Sequence, residues 1–176
     1  MINGEIDCIA KYFQEAHAIG TYTSGIAPLL IYWTAINRIK HNWALDYVGD
    51  KFVEKYVSQI PGDQKKKNTI LKEIVDTFKD RGIIRFFSSN IIKNRNIKEI
   101  PKYESEDTRD YASILSKEDS TSEEIILSLL RIVRIIRNNY EHHGSDVDDP
   151  HEKINAEFVV HVIISYFLKV NNKNPL

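Results

Sequence analysis

Apolar residues recur every three or four positions through most of this 176-residue chain, the spacing that gathers them on one face of a helix. Ile6, Ile9, Ala10, Phe13 and then Ala16 or His17 predict a first helix over 5–18, broken by Gly20 and the cluster Thr21 to Gly25. A longer helix is predicted over about 26–47. Pro28 suits its first turn, where a missing N–H costs nothing. Leu29, Leu30, Trp33, Ile36 and Ile39 form a broad stripe with Asn37 inside it. Gly49 leads into a short helix over about 50–58, and Ile60-Pro61-Gly62-Asp63 reads as a turn. Ile70, Leu71, Ile74, Val75 and Phe78 restore the helical period over 64–79. Residues 83–92 are apolar without a decisive period. They are read as helix because no other stretch offers a strand partner. From 93 to 98 the chain is basic and rich in Asn. From 100 to 120 it is acidic and polar, which predicts a mobile surface excursion with at most one short helix near 108–116.

The densest apolar run, Ile125 to Ile136, begins clearly. Ser120 or Thr121 stands three residues before Glu123 or Glu124, a capping box in either register. Apolar residues face nearly all round this helix, so it is expected at the centre, buried on most sides. Arg131, Arg134 and Arg137 interrupt it at three-residue spacing, with Asn138 on the same stripe. Burying such a stripe unpaired is costly, so it must open to solvent, a partner or a ligand. Asp149 then caps a last helix with Pro150 in its first turn and Glu152 in support. That helix extends to about Val170, with Ile154, Phe158, Val159, Val162, Ile163, Tyr166 and Phe167 on its apolar face. A frayed tail over 171–176 is expected. Together these elements predict an all-α protein: one domain over 1–176, a bundle of about five to seven helices with long antiparallel helices at its centre.

Composition narrows the functions. Hydrophobic residues make up 42% and charged residues 28%, which excludes a disordered chain. The net charge of −1 offers no overall basicity, so contact with a nucleic acid needs a local patch. Lys65, Lys66 and Lys67 make one such patch. At a helix N-terminus they oppose the macrodipole, so they are either a solvated solubility patch or a contact to RNA phosphates. Cys8 is the single cysteine. It excludes an intramolecular disulfide and a cysteine zinc cage and suits a reducing cytoplasm. Residues 1–7 lack the basic start and apolar core of a signal peptide. No apolar run reaches the roughly 20 residues of a membrane helix. A cytoplasmic location without membrane contact is the expectation.

The chemistry is concentrated in Arg137-Asn138-Asn139-Tyr140-Glu141-His142-His143-Gly144. A guanidinium holds a phosphate with a planar fork of donors, and an imidazole exchanges protons near neutral pH. The stretch resembles the signature of the HEPN superfamily, an Arg and a polar residue followed by a His. The longer form in one branch is Arg-Asn-Asn-Leu-x-His-Gly. Arg137, Asn138, Asn139, His142 and Gly144 match it, whereas Tyr140 replaces the usual Leu and His143 is an added residue. Either His142 or His143 is therefore the working imidazole. Trp33-Thr34-Ala35-Ile36-Asn37 also resembles a Trp-x-Ala-Phe-Asn run found early in some members. Asn37 is then either an amide satisfied within the core or a contact that positions the Arg–His pair. Asn139 and Tyr140 are further supporting positions.

The resemblance implies a HEPN-like bundle and a metal-independent endoribonuclease without a cofactor. Arg137 would stabilise the charge on phosphorus, with the His as general acid or base. Asn138 would orient the His or the phosphate, and Arg131 and Arg134 would add RNA contacts. In one continuous helix, residues five apart are rotated by about 140° and displaced by about 7.5 Å. Arg137 and His142 then diverge, so a homodimer is expected to bring both into one cleft. Other members only bind nucleotides or scaffold complexes, and that non-catalytic module is the alternative. A metal site built from His142, His143, Asp146, Asp148, Asp149 and His151 has ligand types without a diagnostic spacing. The resemblance further suggests a bacterial toxin–antitoxin or antiviral setting, with an antitoxin or defence-system partner. Some partners modify a Tyr two residues after the motif His. Gly144 and Ser145 stand at those places.

Overall fold

A computed structural model describes residues 3–20, 26–95, 105–143 and 149–172, with side chains for all of these except Asn3, Gly20, Ile26, His142 and His143. Eight helices occur among the described residues: α1 (Asn3–Gly20), α2 (Ile26–Asn42), α3 (Asp50–Gln59), α4 (Gln64–Asp80), α5 (Ile83–Ser89), α6 (Arg109–Ser116), α7 (Ser122–His143) and α8 (Pro150–Val170). No strand occurs among the described residues; a single antiparallel bridge joins Lys93 and Asp107. The protein is thus all-helical, and the short α5 and α6 bring the helix number above the five to seven expected.

The centre is α7. Leu129, Leu130, Ile132, Val133, Ile135 and Ile136 are all buried, and the helix touches α2, α3, α4, α5, α6 and α8. Helix α8 packs along it and also meets α1, α2 and α4. The link over 144–149 reaches about 20 Å at most, less than the length of either helix. Two helices in contact and joined so briefly must run antiparallel. Helix α3 straddles both: its Asp50 pairs with Arg131 of α7, while Tyr56 donates to the Ile163 carbonyl of α8 at 3.0 Å.

The caps explain where the chain turns. Thr121, not Ser120, closes the capping box of α7. The Thr121 amide donates to Glu124 at 2.8 Å, and the Glu124 amide donates to the Thr121 hydroxyl at 3.2 Å. The Thr121 amide and then the Thr121 hydroxyl, both donating to the Glu124 carboxyl at 2.8 Å, hold it below its ordinary pKa. Asp63 accepts from the Lys66 amide at 2.9 Å, so the first turn of α4 is capped despite its lysines. Asp149 accepts from the His151 amide at 2.8 Å, with Pro150 beside it as the sequence predicts.

Three stretches differ from the sequence expectation. Helix α2 stops at Asn42, not near Tyr47. The Ala44 amide bonds the His41 carbonyl and the Leu45 amide bonds the Lys40 carbonyl, the crossed pair of a Schellman ending. Ala44 takes the left-handed position there with φ 52°. Glycine usually marks this position, so the stop was not visible. Residues 83–92 split into α5 and an extended piece. The Asn94 amide bonds Glu106 O at 2.8 Å and the Thr108 amide bonds Ile92 O at 3.0 Å. The segment from 105 to 108 is the strand-like partner that the sequence did not reveal. Finally, α6 is not a loose excursion: Tyr111, Ala112 and Leu115 are buried, and the helix packs on α5 and α7. Part of the 100–120 stretch, and the chain beyond Asn172, lie outside the described residues.

Candidate functional site

The early end of α2 creates a cleft. Residues 43–49 cross between α2 and α3, held by the Lys40 ammonium on the Asp46 carbonyl at 3.1 Å and by the Lys55 ammonium on the Trp43 carbonyl at 2.7 Å. Trp43 packs against Phe52 and Phe167, which fixes the start of the crossing. Between this link, α2 and α7 lies a cleft of about 170 Å³. Helix α2 lines it with Trp33, Asn37 and Lys40, the link with Asp46 and Tyr47, and α7 with Arg134 and Arg137. The lining carries three cations against the single carboxylate of Asp46.

Arg137 is mostly enclosed. Its Nη2 pairs with Glu141, one turn on, at 2.6 Å. Its Nη1 donates to the side-chain oxygen of Asn138 at 2.7 Å. Its Nε is buried with no hydrogen-bond acceptor among the described residues. An unsatisfied buried donor costs about 1–3 kcal/mol, so the guanidinium is not at rest in a completed network. Arg134, one turn earlier, shares the cleft. Arg131 does not line it. Its guanidinium is taken up by Asp50 at 2.9 Å and lies over the Tyr111 ring.

Asn139 has a different task from Asn138. It is buried, its oxygen accepts from the Arg95 amide and its nitrogen donates to the Lys93 carbonyl, both at 2.8 Å. The side chain acts as a two-point strap that ties the extended 93–95 piece to α7. Tyr140 is buried as well, with the Lys153 ammonium 4.6 Å from its ring centre. Arg95 lies near enough to Glu152 to oppose the rise in that carboxyl's pKa, a rise caused by burial and by Asp149. These contacts bind the end of α7, the start of α8 and the 93–95 piece into one rigid corner.

Asn37, Arg134 and Arg137 of the expected site therefore meet in one cleft, with Asn138 bonded to Arg137. Lys65 and Lys66 are exposed on α4. Asn68 and Lys72, just beyond that triplet, share a recess with Thr121 and Glu123 at the opposite end of α7. Lys65, Lys66 and Lys67 are not part of the cleft. The backbone of His142 and His143 continues α7, but their side chains, Gly144 of the motif, and Asp146 and Asp148 of the metal reading lie outside the described residues. Among the described residues no His, Cys, Asp and Glu cluster suits a metal. Sequence reasoning missed Lys40, Asp46 and Tyr47. Lys40 carried a usable signal, one turn after Asn37 on the same face.

A second polar group was not anticipated. Tyr32 and His161 Nδ1 share a hydrogen bond of 3.0 Å among the rings of Phe13, Phe158 and His17. Burial and then the His17 charge hold the His161 imidazole below its ordinary pKa. Burial and then Glu157 push the Tyr32 hydroxyl up. At neutral pH the tyrosine is thus the donor and a neutral histidine the acceptor. The pair serves the packing of α1, α2 and α8.

Compared with protein-family models, curated proteins and solved structures, the chain matches none.

Proposed function

We propose that the protein is a metal-independent endoribonuclease of HEPN type, acting as a homodimer that gathers Arg137 and a histidine from both copies into one groove. The observation that carries this reading is the cleft in which Arg134 and Arg137 converge beside Asn37. Two guanidiniums in one recess suit a phosphodiester. Helix α7 is continuous from Ser122 to His143, so positions 137 and 142 diverge by about 140°, and a second copy supplies the missing partner. Position 142 follows Asn138 by one turn, while position 143 follows the buried Asn139. That register favours His142 as the working imidazole.

In the reaction the imidazole takes the proton of the RNA 2′-hydroxyl, whose oxygen attacks the adjacent phosphorus. The P–O5′ bond breaks, and a proton returns to the leaving oxygen. Arg137 stabilises the charge gathered on the phosphorus oxygens. Products are a 2′,3′-cyclic phosphate and a 5′-hydroxyl. DNA lacks the nucleophile and resists. The setting proposed is a bacterial defence or toxin–antitoxin system.

The test is RNA cleavage in excess chelator. Arg137→Ala and His142→Ala are each expected to lose roughly 10²–10⁴-fold in rate. Undiminished cleavage by either variant disposes of the site assignment. The Arg137–Glu141 ion pair favours the rival, a non-catalytic nucleotide-binding or interaction module. On that reading the wild-type chain dimerises and leaves RNA intact.

A further inference from the structure

We infer that the cleft between α2, the 43–49 link and α7 is a subsite for one phosphate of the RNA backbone, and that Glu141 holds its place until RNA arrives. This rests on the ribonuclease reading and deepens it. The cleft volume of about 170 Å³ falls below the roughly 300–1,000 Å³ of pockets that enclose whole small molecules. It has room for a phosphate group but not for a nucleotide. Its cations suit that anion. Lys40 is fixed by the Asp46 carbonyl, and Arg134 and Arg137 stand one turn apart on the opposite wall.

The state of Arg137 shows what is to be exchanged. Glu141 meets the guanidinium through one oxygen on Nη2, Asn138 takes Nη1, and Nε has no acceptor among the described residues. One carboxylate therefore satisfies the fork incompletely. A phosphate has enough acceptor oxygens to take Nη2 and Nε together, the planar two-point contact that guanidinium favours. Glu141 is exposed on its helix, so a displaced carboxylate moves into water at little cost. The ion pair then acts as a threshold: an isolated anion must compete with Glu141 alone, whereas an RNA strand brings neighbouring phosphates to the same contest.

The test uses the full chain and a 2′-O-methyl RNA oligonucleotide, which binds but lacks the attacking hydroxyl. Glu141→Gln is expected to bind it roughly tenfold more tightly and Arg134→Gln roughly tenfold more weakly. Wild-type thermal melting of Arg134→Gln separates loss of binding from loss of fold, and a gain by Glu141→Gln cannot come from misfolding. Glu15→Gln on α1 changes the net charge equally and is expected to leave affinity unchanged. Equal gains from Glu141→Gln and Glu15→Gln, or unaltered binding by Arg134→Gln, overturn the subsite. A preference for a mononucleotide or inorganic phosphate over the oligonucleotide also overturns it. Because the probe is not cleaved, these outcomes stand apart from cleavage itself. A chain that binds as expected yet leaves ordinary RNA intact keeps the subsite and loses the nuclease.

Discussion

At residue scale, neighbouring side chains with the same chemistry do unlike work. Asn138 ends on the Arg137 guanidinium, while Asn139 ends on two backbone groups of another segment. Replacing Asn139 by Ala leaves the Arg95 amide and the Lys93 carbonyl, both in part-buried bonds, without that partner. The expected cost is about 1–3 kcal/mol by urea denaturation, the net worth of two lost bonds. Asn138→Ala, which gives up the part-buried bond from Arg137, is expected to cost less, about 0.5–1.5 kcal/mol. A reversed order of the two variants would show the strap reading to be wrong. Ala44 offers a gain instead. Its φ of 52° costs a side chain with a Cβ about 1–2 kcal/mol, so Ala44→Gly should raise the melting temperature by a few degrees. A lowered melting temperature would mean that the Schellman ending is not under strain.

At the scale of elements, what could be read beforehand depended on how local the cause is. The starts of α7 and α8 were legible because Thr121, Glu124, Asp149 and Pro150 act on their own backbone. The stop of α2 was not, because it rests on an Ala in a glycine's conformation and on Trp43 reaching Phe52 and Phe167. The split of 83–92 was hidden for a similar reason: its extended half is defined by bonds to residues 106 and 108. The same rule governs the candidate site. Arg134, Arg137 and Asn138 stood out as polar positions on an apolar helix, and Asn37 stood out inside a stripe. Asp46 and Tyr47 carried no such contrast, since the sequence placed them in the last turn of a helix that in fact ends at Asn42. Their place in the cleft follows from the way the link crosses, a tertiary fact.

At the scale of the whole molecule, charge and pH give two expectations. With a net charge of −1, the proposed binding of RNA would fall to the cleft rather than to the surface at large. If Lys40, Arg134 and Arg137 together hold one phosphate in each copy, the affinity of one copy for single-stranded RNA should fall with salt at a log–log slope of only about −0.7. A slope several times steeper would implicate the lysines of α4 instead. The second expectation concerns stability. The folded protein holds His161 below its ordinary pKa, so its neutral form is the one the fold prefers. The unfolded chain takes up a proton more readily, and the His161 contribution is present above about pH 6.5. It is lost as pH falls through the lower, folded value. Melting temperature should therefore drop on acidification from pH 7 to about 5. His161→Gln, which keeps an acceptor but does not titrate in this range, should flatten that drop; an unaltered pH profile would assign the acid sensitivity to other groups.

The strap made by Asn139 has a bearing on how descendants of this chain would age. On the proposed function, a copy that lost the reaction would be released from keeping Arg137 or Asn138, yet it would still gain stability from the amide at position 139. The Asn doublet would decay from one side only. A lineage retaining the second amide while the first drifts would have kept its architecture and given up the proposed activity.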